Sequence, residues 1–312
     1  MKKVSKIPPA KMNLPKVVVI LGQTATGKSD LAVMLAKKIN GEIISADSRQ
    51  VYKGLDIGSG KITKSEMQGV LHHLLDVASP KRKFTVAEYQ KLANIKIKEI
   101  LKRGKVPIIC GGTGFYISAV TDGIVFPEVP PNHMLRKELA KNDTETLYKM
   151  IMKLDMKRAK MLDPKNKVRI IRAIEIAKAL GKVPKITANK PIYQFVKIGL
   201  TLPNNQLKMK INKRLLKRLD EGMLKEVKDL HKNGVSWKRL EELGLEYRYL
   251  ALFLQKKITE TEMIEMLKNE IYHFSMRQMT WFKKDKEIFW IDVSTTNQKN
   301  SLKSCMLQYS LE

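Results

Sequence analysis

The stretch GQTATGKS, from Gly22 to Ser29, constrains the fold of this chain more than any other feature. It fits the pattern G-x-x-x-x-G-K-[ST], with an apolar run before it at 17–21 and helical spacing after it at 29–39. A strand, turn and helix of this kind surround an anion with backbone N–H groups and a helix N-terminus. The predicted phosphate contacts are Gly22, Gln23, Thr24, Ala25, Thr26, Gly27, Lys28 and Ser29.

The motif also assigns roles to two side chains of the loop. Lys28 is expected to reach the outermost phosphate, and the Ser29 hydroxyl is expected to ligate Mg²⁺, which we predict as the cofactor. This chemistry fits a diphosphate or a triphosphate equally well. The loop therefore predicts a phosphate site without naming the phosphate.

Apolar runs of strand length recur along the chain and alternate with helical patterns. After the first strand come EIISADS at 42–48, VPIIC at 106–110, FVKIGLTL at 195–202 and EIFWIDV at 287–293. A helical pattern at 85–105 separates the second and third of these runs. Continuous apolar strands alternating with helices indicate a parallel α/β sheet. We predict a P-loop NTPase-like parallel sheet core flanked by helices.

Polar residues follow two of these strands. Asp47 comes after the second strand, and Thr113 comes after the third on a glycine-rich turn. Ligands of such sheets bind beyond the carboxyl ends of the strands, so both residues should face the phosphate loop. Asp47 could hold magnesium, act as a general base, or only cap a turn. Thr113 could belong to the same site or only to turn chemistry.

The composition of the sequence changes after Asp122. The proline-rich stretch 126–132 resembles a hinge. The pattern at 135–180 is helical, and we predict a small all-helical insertion domain. The expected organisation is a flexible basic tail at 1–15, a catalytic core at 16–125 and 190–312, and an insertion at 126–189. The predicted buried stripes of the insertion are Leu147, Ile151, Leu154 and Val168, Ile171, Ile174.

Two further helices are predicted after the insertion. The first is long, and the second covers about 260–281. Basic residues cluster on the first turns of the long helix, around Lys210 and Arg214. The residues expected to face inward are Ile211, Leu215, Leu219, Met223 and Val227 in the first helix, and Ile264, Leu267, Ile271, Phe274 and Trp281 in the second.

The charge of the chain indicates a polyanionic partner. There are 59 Lys and Arg residues against 31 Asp and Glu residues in 312, a formal charge of +28. Such a field attracts nucleic acid or an anionic membrane surface, although a basic composition also serves solubility alone. No apolar run has the length of a membrane span, and the N-terminus lacks an apolar signal core. With only Cys110 and Cys305, we expect a cytoplasmic protein without membrane association.

Several motifs together resemble one family. GQTATGKS, ISADSRQVYKGLDIGSGK, HHLLDV, FTVAEY, GGTGFYISAVTDGI, RIIRAIEI and RQMTWFKK occur in the order expected of tRNA dimethylallyltransferases, from residue 16 to about residue 293. The resemblance implies transfer of a dimethylallyl group from its diphosphate to the exocyclic amine of an adenosine. That adenosine lies directly 3′ of the anticodon in tRNAs reading codons that begin with U.

The resemblance also implies roles for individual residues. The loop would hold the leaving diphosphate with help from Arg214, and the catalytic residues would be Asp47 as base, Thr113 and Lys28. In RQMTWF, Gln278 and Trp281 are expected to be structural and Arg277 to contact RNA. The implied tRNA contacts are Asp47, Ser48, Arg49, Gln50, Thr113, Arg136, Val168, Arg169, Ile170, Ile171 and Arg172.

The expected partners are therefore a tRNA anticodon stem-loop and dimethylallyl diphosphate. Nothing in the sequence indicates an obligate protein partner, and we expect a monomer. Two enzymatic alternatives remain: an ATP-dependent small-molecule kinase on the same fold, and a relative that prenylates free adenine nucleotides. Neither requires the large positive charge. A non-catalytic RNA-binding protein is a third alternative, disfavoured by the intact Lys28, Ser29, Asp47 and Thr113.

Overall fold

The computed structural model describes residues 14–185, 187–295, 300, 303 and 306. Most of the predicted basic tail and Cys305 lie outside these residues. The chain divides into two compact units, one formed by Met1–Asp122 with Pro191–Glu312 and the other by Gly123–Lys190. None of the described helices is long and apolar enough to cross a membrane.

The strands and helices follow the predicted alternation. The strands are β1 (Lys16–Gly22), β2 (Gly41–Ser45), β3 (His72–His73), β4 (Val106–Gly111), β5 (Ile124–Val125), β6 (Thr187–Ala188), β7 (Gln194–Thr201) and β8 (Phe289–Asp292). The helices are α1 (Lys28–Lys38), α2 (Lys64–Met67), α3 (Val86–Lys102), α4 (Gly114–Thr121), α5 (His133–Leu139), α6 (Thr144–Leu154), α7 (Met156–Ala159), α8 (Lys167–Leu180), α9 (Asn204–Asp220), α10 (Met223–Lys232), α11 (Trp237–Leu243), α12 (Leu245–Leu254) and α13 (Glu260–Phe282).

The larger unit is built on a six-stranded sheet in the order β3-β2-β4-β1-β7-β8. Every neighbouring pair in this sheet is parallel. The central strands are buried on both faces, which explains their continuous apolar runs. The predicted parallel sheet core is confirmed. Its topology places the ends of β1, β2 and β4 side by side.

The helices that cover the sheet begin at well-defined caps. Thr85 and Glu88 form a reciprocal capping box at the start of α3, and Thr259 and Glu262 form another at the start of α13. The side chain of Tyr89 in α3 is fully buried against the sheet and stacks on Tyr116 of α4, with ring centroids 4.1 Å apart. These contacts fix α3 and α4 behind the ends of β2 and β4.

The long helix predicted after β7 is two helices. Gly222 adopts a φ of 99°, a left-handed conformation that ends the α9 segment before α10 begins. The inward stripe predicted for α13 is also wrong in part, because Phe274 is only half-buried and Trp281 is exposed. The buried face of α13 consists of Met263, Leu267, Ile271, Ser275, Gln278, Met279 and Phe282.

The smaller unit contains α5 to α8 and a two-stranded antiparallel ladder formed by β5 and β6, which the sequence did not indicate. Its core includes Leu147, Ile151 and Ile174, as predicted. Two members of the predicted stripes are wrong: Leu154 is 38% exposed and Val168 is 78% exposed. The stripe of α8 is instead made by Ile170, Ala173, Ile174 and Ala177, which follow the i, i+3, i+4 spacing.

Candidate active site

The stretch 22–29 connects β1 to α1 in the geometry that its glycines require. Gly27 has a φ of 85° and directly precedes α1. At Gly22, a Cβ atom would lie only 2.4 Å from the carbonyl oxygen of Leu200, so no larger residue fits without a shift. Ala25 also has a positive φ, of 62°. The loop therefore bends tightly at the end of the central strand.

The loop is held by its own side chains and by α13. The Thr26 hydroxyl and the Lys28 ammonium both donate to the carbonyl oxygen of Gln23, at 2.8 and 2.5 Å. The buried Gln23 amide donates in turn to the carbonyl oxygen of Ser275, at 3.3 Å. These bonds fix the loop on α13 as well as on the sheet.

A cavity of about 570 Å³ opens in front of the loop. Three basic side chains, Lys28, Lys210 and Arg214, line it together with the acidic Asp30 and Glu66. Burial lowers the pKa of Lys28 to about 8. Burial, with the neighbouring Arg218, lowers the pKa of Arg214 to about 10. Two desolvated cations in one cavity favour a ligand with several negative charges.

The lowered pKa of Lys28 predicts that binding of a phosphate-bearing anion in this cavity depends on pH. A bound anion favours the charged ammonium, so binding should raise this pKa and take up a proton near pH 8. Above that pH the affinity should fall, by about tenfold per pH unit. Calorimetry in two buffers of different ionisation enthalpy would measure the uptake with inorganic diphosphate as the ligand. The Lys28→Arg variant should abolish it, and no uptake in the wild-type chain would contradict the prediction.

Asp47 follows β2 and its carboxylate is engaged in a turn. One oxygen, Oδ1, accepts hydrogen bonds from the backbone N–H groups of Arg49 and Gln50, at 2.7 and 3.3 Å. The amide of Gln50 donates to the carbonyl oxygen of Gly60 at 3.1 Å and links this turn to the loop that lines the cavity. Asp47 therefore holds a turn through its carboxylate, and it lies just after the end of β2, as predicted.

Thr113 joins the ends of β2 and β4. Its hydroxyl accepts from the backbone N–H of Ser48 at 3.0 Å, and its own N–H donates to the carbonyl oxygen of Ala46 at 3.1 Å. The two strand ends approach so closely that a Cβ at Gly111 would lie 2.3 Å from that carbonyl oxygen. The turn after β4 therefore places Thr113 directly beside the Asp47 turn.

Gln278 of α13 joins this second turn to the phosphate loop. Its amide oxygen accepts from the backbone N–H of Thr24 at 2.8 Å, and its Nε2 donates to the carbonyl oxygen of Gly112 at 2.9 Å. A Cβ at Gly112 would lie 2.2 Å from that Nε2. The three turns after β1, β2 and β4 thus converge as the sequence predicted, and Gln278 bonds two of them to each other.

Comparison with known proteins gives the family. The sequence profile described as IPP transferase matches residues 50–285, which is most of the chain. The chain belongs to this IPP transferase family. The resemblance inferred from the motifs is confirmed, and the chain is a prenyl transferase by family.

The sequences of two relatives align with almost the full length of this IPP transferase. It is 40% identical to the tRNA dimethylallyltransferase of Anoxybacillus flavithermus, over 89% of this chain and 91% of the relative. It is 43% identical to tRNA dimethylallyltransferase 2 of Treponema denticola, over 86% and 91%.

Solved structures show the same fold. The full-length tRNA isopentenylpyrophosphate transferase of Bacillus halodurans is 36% identical and superposes with a TM-score of 0.72, covering 95% of this chain and 96% of that one. A eukaryotic dimethylallyltransferase acting on tRNA is 24% identical, with a TM-score of 0.80 over 95% and 80% of the two chains. The similarity to the eukaryotic enzyme supports only the assignment of the fold.

The RNA contacts implied for the smaller unit of this IPP transferase differ in accessibility. Arg136 and Arg172 both form ion pairs with the buried carboxylate of Glu175, the former at 2.6 Å. Val168 and Arg169 are exposed. Ile170 is fully buried in the core of the unit, so its side chain is not available to a ligand.

The bridge made by Gln278 leads to a mutational prediction. In Gln278→Leu, the Thr24 N–H and the Gly112 carbonyl lose their partner, which should reduce the free energy of unfolding by about 2 kcal/mol. We also expect turnover to fall by about tenfold, because the two turns lose their mutual alignment. Steady-state kinetics with dimethylallyl diphosphate and an anticodon stem-loop, together with thermal unfolding, would measure both effects.

Gln255 supplies the matched control for Gln278. Its side-chain amide also makes two hydrogen bonds, here donating both, to Glu241 at 2.9 Å and to the carbonyl oxygen of Ala251 at 3.0 Å, within the α11–α12 region. Gln255→Leu should reduce stability but leave turnover unchanged. Equal losses of turnover in the two variants would show that the effect of Gln278 is general destabilisation.

Proposed function

We propose that the chain transfers a dimethylallyl group from dimethylallyl diphosphate to the exocyclic amine of the adenosine directly 3′ of the anticodon, in tRNAs reading codons that begin with U. The observation that carries the proposal is the convergence of the phosphate loop with the Asp47 and Thr113 turns at one sheet edge. The names and near-complete coverage of the relatives support it. Because the substrate is tRNA, we place the enzyme in the cytoplasm.

The basic cavity is suited to the leaving group. Breaking the allylic carbon–oxygen bond transfers negative charge to the diphosphate. Lys28, Arg214 and the backbone N–H groups of the loop are preorganised to stabilise that charge as it develops. This role needs the same loop as phosphoryl transfer does, since charge builds on a phosphate oxygen in both reactions.

Magnesium fits the oxygen donors of the cavity. Ser29 and Asp30, at the start of α1, line the cavity and offer a hydroxyl and a carboxylate. Within the part of the chain that the structure describes, no group of three His, Cys, Asp or Glu side chains is arranged to hold a metal. Mg²⁺ prefers few protein ligands plus phosphate oxygens and water, so this sparse set suits it. When bound, the ion would add positive charge beside the diphosphate.

Asp47 and Thr113 are suited to the acceptor. The exocyclic amine of adenosine is a weak nucleophile because its lone pair is conjugated with the purine ring. A carboxylate within reach can accept the amine proton as the new carbon–nitrogen bond forms, and we assign this role to Asp47. Thr113, whose hydroxyl already fixes Ser48, would position the amine. The adenosine must leave its stack, which costs a few kcal/mol in a loop.

Binding of the RNA should depend strongly on salt. The formal charge of +28 and exposed residues such as Arg169 provide phosphate contacts. With about four such contacts, affinity for an anticodon stem-loop should fall roughly 100-fold between about 50 and 200 mM salt. Fluorescence anisotropy with a labelled stem-loop would give the slope. A flat response would argue against an RNA substrate.

The function is tested by incubating the chain with dimethylallyl diphosphate and an unmodified anticodon stem-loop. We expect the RNA to gain the mass of one dimethylallyl group less the one hydrogen that it replaces on the amine, with release of one diphosphate. AMP as a competing acceptor separates this activity from adenine nucleotide prenylation. Consumption of ATP without any change in the RNA would instead indicate a kinase and overturn the proposal.

A further inference from the structure

Two aromatic side chains lie exposed on neighbouring helices of the larger unit. Phe115 of α4 is 44% exposed and Trp281 of α13 is 38% exposed. Their ring centroids are 6.1 Å apart and their planes meet at 61°. We call this pair the aromatic platform. Adjacent exposed aromatic rings form a more contiguous apolar surface than a single exposed side chain does, and contiguous apolar surfaces are typical of binding sites.

The platform is held rigidly although it is exposed. The indole N–H of Trp281 donates to the hydroxyl of Ser118 at 3.3 Å. The ring also packs on the first turn of α4, where a Cβ at Gly114 would lie 2.3 Å from the indole Cδ1. A surface fixed in this way loses little conformational entropy when a ligand binds. Glycine at 114 thus allows an aromatic ring to lie against the backbone.

The platform adjoins the acceptor turn. Gly114 directly follows Thr113, whose hydroxyl bonds to the backbone N–H of Ser48, the residue after Asp47. One turn before Trp281 on α13, Gln278 bonds to the carbonyl oxygen of Gly112. The rings therefore lie at the rim of the turn to which we assign the target adenosine.

The surroundings of the platform are basic. Arg277 lies four residues before Trp281, on the same face of α13, with 61% of its side chain exposed and a long ion pair to Glu270 at 3.7 Å. Lys283 and Lys284 follow directly after α13 and are exposed. Aromatic rings next to guanidinium and ammonium groups match an unpaired nucleobase and its phosphate.

We propose that the aromatic platform stacks an unpaired base of the anticodon loop that neighbours the target adenosine. The proposal rests on the proposed function, because it takes the RNA as the substrate. It changes the role of Trp281, which the sequence indicated as a buried structural residue. Stacking of the neighbour would hold the loop open on one side of the extruded adenosine.

The test is a double-mutant cycle between Trp281 and the RNA. Binding is measured for an anticodon stem-loop and for two versions with an abasic site at the nucleotide 5′ or 3′ of the target adenosine. Trp281→Leu should weaken binding of the intact RNA by roughly tenfold. It should have no effect on the version that lacks the stacked base. Trp281→Phe keeps a flat ring and should bind the intact RNA within about threefold of the wild-type chain.

Phe115→Leu serves as a second variant, because it leaves the bond between Trp281 and Ser118 intact. It should show the same dependence on the neighbouring base, with unchanged binding of dimethylallyl diphosphate. Equal losses on the intact and both abasic RNAs, in both variants, would overturn the platform. If the wild-type chain modifies the RNA but the effects of the substitutions do not depend on the neighbouring base, only the platform is refuted. If the wild-type chain binds no stem-loop, the proposed function is refuted as well.

Discussion

We expect the Asp47→Asn variant to turn over about 100-fold more slowly than the wild-type chain, with affinity for the anticodon stem-loop almost unchanged. The reason lies in the turn that this carboxylate holds and in the base role that we propose for it. Its Oδ1 accepts from the backbone N–H groups of Arg49 and Gln50, and an asparagine Oδ1 keeps both bonds. The amide has no basicity, so only removal of the amine proton is lost. Single-turnover rates at saturating substrates would measure the change.

The comparison with Asp47→Ala separates the base from the turn. If Asp47 serves only to hold the turn, asparagine should retain activity and alanine should lose it. If it is the base, both variants should be slow. Asp56→Asn is a matched control, because that carboxylate is exposed in a nearby loop and pairs with Lys61 at 2.5 Å. Its removal should leave the rate unchanged, and a wild-type rate in Asp47→Asn would exclude Asp47 as the base.

The core of the fold was predictable because its signals are local. The strands β1 and β4 are buried on both faces, so each appears in the sequence as a nearly continuous apolar run, and the buried part of β7 departs from this pattern only at Lys197. Parallel strands bring their carboxyl ends to one edge, and this rule alone placed Asp47 and Thr113 beside the phosphate loop. The rule needs no knowledge of distant contacts.

Interactions between distant residues were not predictable in this way. Gln278 lies 254 residues from Thr24 in sequence, and its role depends on how α13 rotates on the sheet. A glutamine among the mostly apolar positions of one helix face was the available signal. The same rotation exposes Trp281, which helical spacing had placed in the core. Helical spacing identifies which face of a helix is apolar. It does not show which residues of that face the neighbouring elements leave exposed to solvent.

The break between α9 and α10 shows a second limit. The apolar positions from Ile211 to Val227 fit one continuous helix, and Gly222 alone marked the interruption. A single glycine within a helix costs only about 1 kcal/mol, so the sequence pattern did not decide between a continuous and a broken helix. In the structure Gly222 has a positive φ, and Met223 and Val227 are buried in the core from the separate helix α10.

Lys28→Ala should produce the other large loss. The variant removes one of the basic groups that line the cavity proposed to hold the diphosphate. It also removes the bond from Lys28 to the carbonyl oxygen of Gln23 and keeps the bond from the Thr26 hydroxyl. Loss of one preorganised donor to a developing charge lowers turnover by about 100- to 1000-fold. The Michaelis constant for dimethylallyl diphosphate should rise as well, because the charge also contributes to ground-state binding.

The acceptor side should be unaffected by this substitution, and that contrast identifies the loop as the diphosphate site. Affinity for the anticodon stem-loop, measured by anisotropy, should stay within about threefold of the wild-type value, since its contacts lie at other residues. Lys38→Ala provides the matched control, because Lys38 is an exposed lysine at the far end of the same helix, α1. If Lys28→Ala kept both its turnover and its Michaelis constant, the loop would not hold the leaving group, and another cluster of cations would have to stabilise the diphosphate.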